Sequence, residues 1–192
     1  MSDNLKIAVF DDVAKNARYY KILGDSVLKD YDILIWHDAN IQLIHNKLDS
    51  LLEKAKHTFL TTFTHPYRNC FYSEAMTCIR GNKDFSLRIL KQATVYFFKG
   101  IPAQSGMYST GILIKNFTLE HADNLTFWWE QTLKYSRRDQ LSLAFTIFYK
   151  KMYINVIHDD IFNNKYSIYK KHIYPEYLES RNVMQYNFMI VK

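Results

Sequence analysis

The chain has 192 residues, of which 48% are hydrophobic and 16% aromatic, with only 5 Gly and 3 Pro. That composition excludes a disordered or linker-dominated protein and suffices for one domain with its own core. A formal charge of +6 suits an anionic partner, but the basic residues are scattered in pairs such as Arg137-Arg138, Lys150-Lys151 and Lys170-Lys171, so a nucleic-acid-binding stripe is not expected.

In chain order, "LKIAVF" (5–10) predicts a strand. Asp11 or Asp12 can cap the helix that follows, with Ala17, Tyr20 and Leu23 at helical spacing and Gly24 ending it. "YDILIW" (31–36) predicts a second strand. Its nearly continuous apolarity implies burial on both faces, as in a parallel or mixed sheet. "IQLIHNKLDSLLEKAK" (41–56) reads as mostly helical, with Leu48, Leu51, Leu52 and Ala55 on one side. "HTFLTTF" (57–63) is a third strand. Helices are expected over 73–81 and 85–100, the second ending at Gly100 ahead of Pro102. "TGILIKNF" (110–117) predicts a strand, 122–136 and 137–151 two helices, and "INVIH" (154–158) a late strand. Asp123 or Asn124 is a candidate cap for the first of those helices. Residues 159–192 carry no clear period. Alternating strands and helices point to an α/β layered fold, whose ligands sit at the carboxyl ends of the strands.

Cys70 and Cys78 are too few for a four-cysteine zinc site and read as reduced thiols. The acidic opening, with Asp3, Asp11 and Asp12, is unlike a signal peptide, and no apolar run reaches about 18 residues. A cytoplasmic protein without a transmembrane segment is the expectation, and a homo-oligomer stays open.

Several clusters can carry chemistry. Asp38 and Asn40 lie just past the second strand and point the same way. They are either an ordinary turn or an oxygen pair for Mn²⁺ or Mg²⁺, with diphosphate oxygens completing the shell. Arg18 and Lys21 share a helix face that either meets a phosphate or is solvated. His65, Arg68 and Glu74 follow the third strand, where Pro66 stiffens the exit. They form a site or a hydrogen-bonded structural loop. One of Trp128 and Trp129 can stack on a sugar ring, though core packing is the commoner fate of Trp. Asp139, at a helix start, can cap the Leu141 or Ser142 amides, or accept a proton or hydroxyl hydrogen bond from a substrate. No Gly-rich phosphate loop, G-x-S-x-G or H-E-x-x-H motif is present.

The order "ARYYKIL", "YDILIWHDANIQL", "HPYRNCFYSEA", "QATVYFFKGIP", "TGILIKN" and "WWEQTLKYSRRDQLSLAF" resembles a family of glycosyltransferase-like domains. Its members include plant mucilage- and ceramidase-named proteins and bacterial and viral sugar-transferase relatives. The resemblance spans about residues 17 to 147 of a single domain, 1–192. It implies a GT-A-like fold, shortened at the amino terminus, with a mixed, mostly parallel central sheet and helices on both faces. It also implies transfer of a sugar from a nucleotide-diphosphate sugar donor to a glycan or other hydroxyl acceptor, assisted by Mn²⁺ or Mg²⁺.

By that resemblance Arg18, Lys21, Asp38 and Asn40 would bind the donor. Asp38, Asn40 and His158 would bind the metal, with Asn40 standing where many relatives have a second Asp. His65, Arg68, Trp129, Arg138 and Gln140 would meet the acceptor. Asp139 would orient the acceptor hydroxyl or act as its base. The competing reading is a non-catalytic carbohydrate-binding or interaction module on the same scaffold, with a nucleic-acid binder ranked behind both.

Overall fold

The computed structural model describes residues 9–24, 31–119, 123–170 and 188–191. The expected strand over 5–10 lies mostly outside the described residues. Val9 and Phe10, at its end, are not in a strand, and both of their amides donate to Asn16 Oδ1.

Helix α1 (Val13–Leu23) starts at Asp12, whose carboxylate accepts from the Ala14 and Lys15 amides, and stops at Gly24, whose φ of 80° favours glycine. Strand β1 (Ile33–His37) and β4 (Tyr108–Asn116) pair antiparallel. β3 (Leu60–Thr64) pairs antiparallel with the other edge of β4 and parallel with β5 (Asn155–Ile157). β7 (Phe188–Val191) adds antiparallel to β1. The order is therefore β5-β3-β4-β1-β7. The sheet is mixed and mostly antiparallel, which corrects the mostly parallel expectation. The apolar run Ile33 to Trp36 within 31–36 implied burial on both faces, and central antiparallel strands can be buried in the same way.

One face of the sheet presents Trp36, Leu60 and Leu113 to α1, α5 (Asn124–Lys134) and α6 (Asp139–Tyr149). The other presents Ile35, Phe63, Ile112, Ile114 and Ile157 to Leu51 of α2 (Leu48–Glu53) and to a small ribbon. That ribbon is β2 (Ile41–Leu43) paired with β6 (Ser167–Tyr169). A helix was expected from 41, but residues 41–43 are extended because the strand at 167–169 supplies their partner. α3 (Phe71–Arg80) and α4 (Ser86–Phe98) pack with α6 around Phe71, Tyr96 and Phe145. Among the described residues no helix is long and apolar enough to cross a membrane.

Both β1 and β3 run antiparallel to β4, so their carboxyl ends share one edge of the sheet with the amino end of β4. The β3–β4 register slips between Thr62 and Phe63, and the Thr62 hydroxyl donates to the Ser109 and Ile112 carbonyls across the irregularity. Such bulges interrupt pairing and re-aim side chains. Thr110 and Gly111, in this irregular stretch, line the cleft described next.

Candidate active site

A cleft of about 470 Å³ opens at that edge. Arg18 and Lys21 enter it from α1, Asp38 and Asn40 from the turn after β1, and His65 and Arg68 from the loop after β3. Glu74 comes from α3, and Arg138, Asp139 and Gln140 from the start of α6. Trp129 and His158 are not among its lining residues. Trp129 is 7% exposed and packs against Phe10 and Tyr19, so core packing takes the ring expected to stack on a sugar. His158 lines a second hollow with Lys54, Asp159 and Lys165, apart from Asp38 and Asn40.

One corner of the cleft is a charge cluster built across the fold. Asp139 is 2% exposed, with Arg18 Nε 3.0 Å from its Oδ1 and Lys21 Nζ 2.8 Å from its Oδ2. Burial alone would raise the Asp139 pKa. The Arg18 and Lys21 charges outweigh it and hold the carboxyl well below the usual range. A carboxylate so stabilised is a poor proton acceptor. Nor does its side chain cap α6. The α6 start is tied instead to α5 by the Trp128 indole, which donates to the Asp139 carbonyl at 3.0 Å.

Lys21 also reaches Asp38, its Nζ lying 3.3 Å from Oδ1, and the Trp36 indole donates to the same oxygen at 3.0 Å. Lys21 itself is 1% exposed, whereas the Asp38 side chain is 39% exposed. Behind this corner, the buried Lys115 Nζ donates to the Lys21 and Ile22 carbonyls at 3.0 and 2.9 Å. Burial, with Lys21 nearby, pushes the Lys115 pKa down to about 7. The lysine thus closes two open carbonyls at the end of α1 and fixes the turn that carries Lys21.

The opposite corner centres on Glu74, 5% exposed, which takes Arg68 Nη1 at 3.0 Å and faces His65 Nε2 at 3.5 Å. The Tyr67 and Arg68 amides both donate to His65 Nδ1, so the neutral ring carries its proton on Nε2, toward Glu74. Burial lowers the His65 pKa, and the Arg68 and Arg138 charges add to this while Glu74 opposes it. Cys78 is a buried thiol, pushed up to about 11 by burial, and is chemically quiet.

The sequence singled out Glu74 without assigning it a role, and missed Lys83, Tyr67, Phe162 and Tyr169, all of which line the cleft. Glu74 could have been weighed with Arg68, six positions away. Phe162 and Tyr169 fall in a stretch with no periodicity, so nothing in the sequence marks them.

The donor set does not fit a resident divalent ion. Among the described residues no three His, Cys, Asp or Glu side chains converge on a metal position. One oxygen of Asp38 already faces an ammonium and an indole N–H, and Asn40 adds only a neutral amide. Lys21 is held on its other side by Asp139 and is itself 1% exposed.

Neither a curated protein nor a solved structure matches the chain. A family model described as TOD1/MUCI70, glycosyltransferase-like domain, matches residues 4–172. That match covers most of the 192 residues, and the chain belongs to this family of glycosyltransferase-like domains.

Proposed function

We propose that the chain is a glycosyltransferase on a GT-A-type scaffold. It takes a nucleotide-diphosphate sugar as donor and a hydroxyl group of a glycan or other molecule as acceptor. The observation that carries this reading is the lining of the cleft: Arg18, Lys21, Arg68, Lys83 and Arg138 face Asp38, Glu74 and Asp139, five cations against three carboxylates. A cationic hollow at strand ends suits a polyanionic diphosphate, and membership of a glycosyltransferase-like family supports reading the chemistry as sugar transfer.

In this reading Arg18 and Lys21 hold the donor phosphates. Asp38, the most open of the three carboxylates, accepts the hydrogen bond, and then the proton, of the acceptor hydroxyl. The glycosidic carbon–oxygen bond to the diphosphate breaks, the acceptor oxygen takes its place, and the nucleoside diphosphate leaves with the electron pair. His65, Arg68 and Gln140 border the acceptor side. Tyr67, 71% exposed and stacked on Phe162 at 6.2 Å, offers the ring face expected of Trp129.

The test is a panel of UDP- and GDP-sugars, read by thermal shift and by release of nucleoside diphosphate in the presence of glycan acceptors. At least one donor is expected to stabilise the chain, and Asp38→Ala to lower turnover about a hundredfold or more. Silence across the whole panel, together with no effect of Asp38→Ala, would sink the enzyme reading.

A further inference from the structure

We infer that this cleft neutralises the donor's diphosphate with its own fixed cations and needs no divalent ion to do so. The inference rests on the donor reading above and concerns how that one site is charged.

Three observations carry it. First, the position a metal would take beside Asp38 already has a cation next to it. Lys21 Nζ sits 3.3 Å from Asp38 Oδ1 and 2.8 Å from Asp139 Oδ2. A divalent ion brought to Asp38 would meet this ammonium at close range in a partly desolvated site, where like charges repel strongly. Lys21 is 1% exposed, and moving it aside would break its pair with Asp139, whose carboxylate would then be left with less compensation.

Second, the cations outnumber the carboxylates around the cleft by two. Asp139 and Glu74 are each engaged by cations at 3.0 Å or less. The excess positive charge faces the hollow.

Third, Arg138 is short of partners. Its Nε is buried without a hydrogen-bond partner among the described residues, its Nη2 reaches Gln140 Oε1 at 3.4 Å, and its remaining contact is with the Cys78 thiol, a weak partner. A buried guanidinium N–H left unpaired is costly, and an anionic oxygen is the partner its geometry suits best. Together these groups are a preorganised set of donors for charge that grows on a departing diphosphate.

The inference reverses the role usually given to a carboxylate in such a place. If Asp38 held a metal, its removal would weaken diphosphate binding. In the cation-lined cleft Asp38 competes with the ligand for Lys21, so its removal leaves Lys21 freer and strengthens binding.

The experiment is calorimetry on the full chain with UDP and with GDP as probes, in EDTA and then with Mn²⁺ or Mg²⁺. Binding is expected in EDTA, changed less than about threefold by metal, and weakening as salt rises. Asp38→Asn is expected to bind the nucleoside diphosphate as well as or better than the parent. Lys21→Met and Arg138→Met are expected to bind about tenfold or more weakly in EDTA. Arg138 is only partly buried, so its variant remains informative where Lys21→Met fails to fold. Binding that appears only on adding metal, or that weakens in Asp38→Asn, overturns the inference while the donor reading stands. Absence of binding by either probe, with metal and without, overturns both.

Discussion

Asp38 and Asp139 are contacted by the same ammonium, that of Lys21, yet their surroundings differ. Asp139 is sealed between α1 and the start of α6, faces two cations and has its pKa driven down. Asp38 stands at the rim of the sheet with one cation, one indole donor and 39% of its side chain in water. The same residue type thus serves two ends. The buried carboxylate organises the cations, and the open one can meet a ligand. Burial, more than identity, separates a structural charge from an available one.

The largest effect expected from this contrast is on stability. Asp139→Asn leaves two cations without their shared counter-charge and is expected to cost about 3–5 kcal/mol in urea unfolding. Asp38→Asn is expected to cost less than about 1 kcal/mol, because its pairing is screened by solvent. Equal losses would erase the distinction.

Activity is expected to divide the other way. Asp38→Ala should lower transfer about a hundredfold or more, the range for a lost proton acceptor, while the melting temperature barely moves. A variant that keeps full turnover would move Asp38 out of the chemistry.

Next in size is Lys115, which anchors the Lys21 end of the pair. Its folded pKa of about 7 lies below its free value of 10.5. Between those values the unfolded chain keeps a proton that the folded chain has released, so this group makes stability rise with pH. Below about pH 7 both states hold the proton and its contribution is flat. Lys115→Met is expected to remove up to about 1.4 kcal/mol per pH unit of that slope in melts between pH 7 and 9. It should also leave the Lys21 and Ile22 carbonyls short of a partner. An unchanged slope would place the titration elsewhere.

The smallest effect belongs to His65, whose pKa lies below its free value of 6.5. On acidification the unfolded chain takes up this proton first, so stability falls as pH drops below 6.5. His65→Gln is expected to soften that fall by less than about 1 kcal/mol, measured as unfolding at pH 7 against pH 5.

Most elements were legible. An aspartate cap at Asp11 or Asp12, the Gly24 stop and the strands around Ile35, Phe63 and Ile114 follow from local chemistry and apolar patterning. So did the stretch holding Asp38 and Asn40, because a strand that ends on polar residues marks a rim. Other features were not legible, each for a reason of distance. The strand at 41–43 depends on a partner at 167–169, more than 120 positions away. Antiparallel and parallel neighbours bury the same apolar run, so the direction of β4 could not be read from Ile112 to Ile114. Trp129 reads alike as a platform or as core until the helix beside it is placed.

The sequence by itself determined the helical or extended character of most segments, which residues could be charged and which short motifs stand at strand ends, because these are set by neighbours a few positions apart. Only the tertiary structure decided that Arg18, Lys21, Asp38 and Asp139 form one cluster, and which carboxylate within it is open to solvent. That outcome depends on burial and on ion pairs between segments more than a hundred residues apart, and local pattern carries neither.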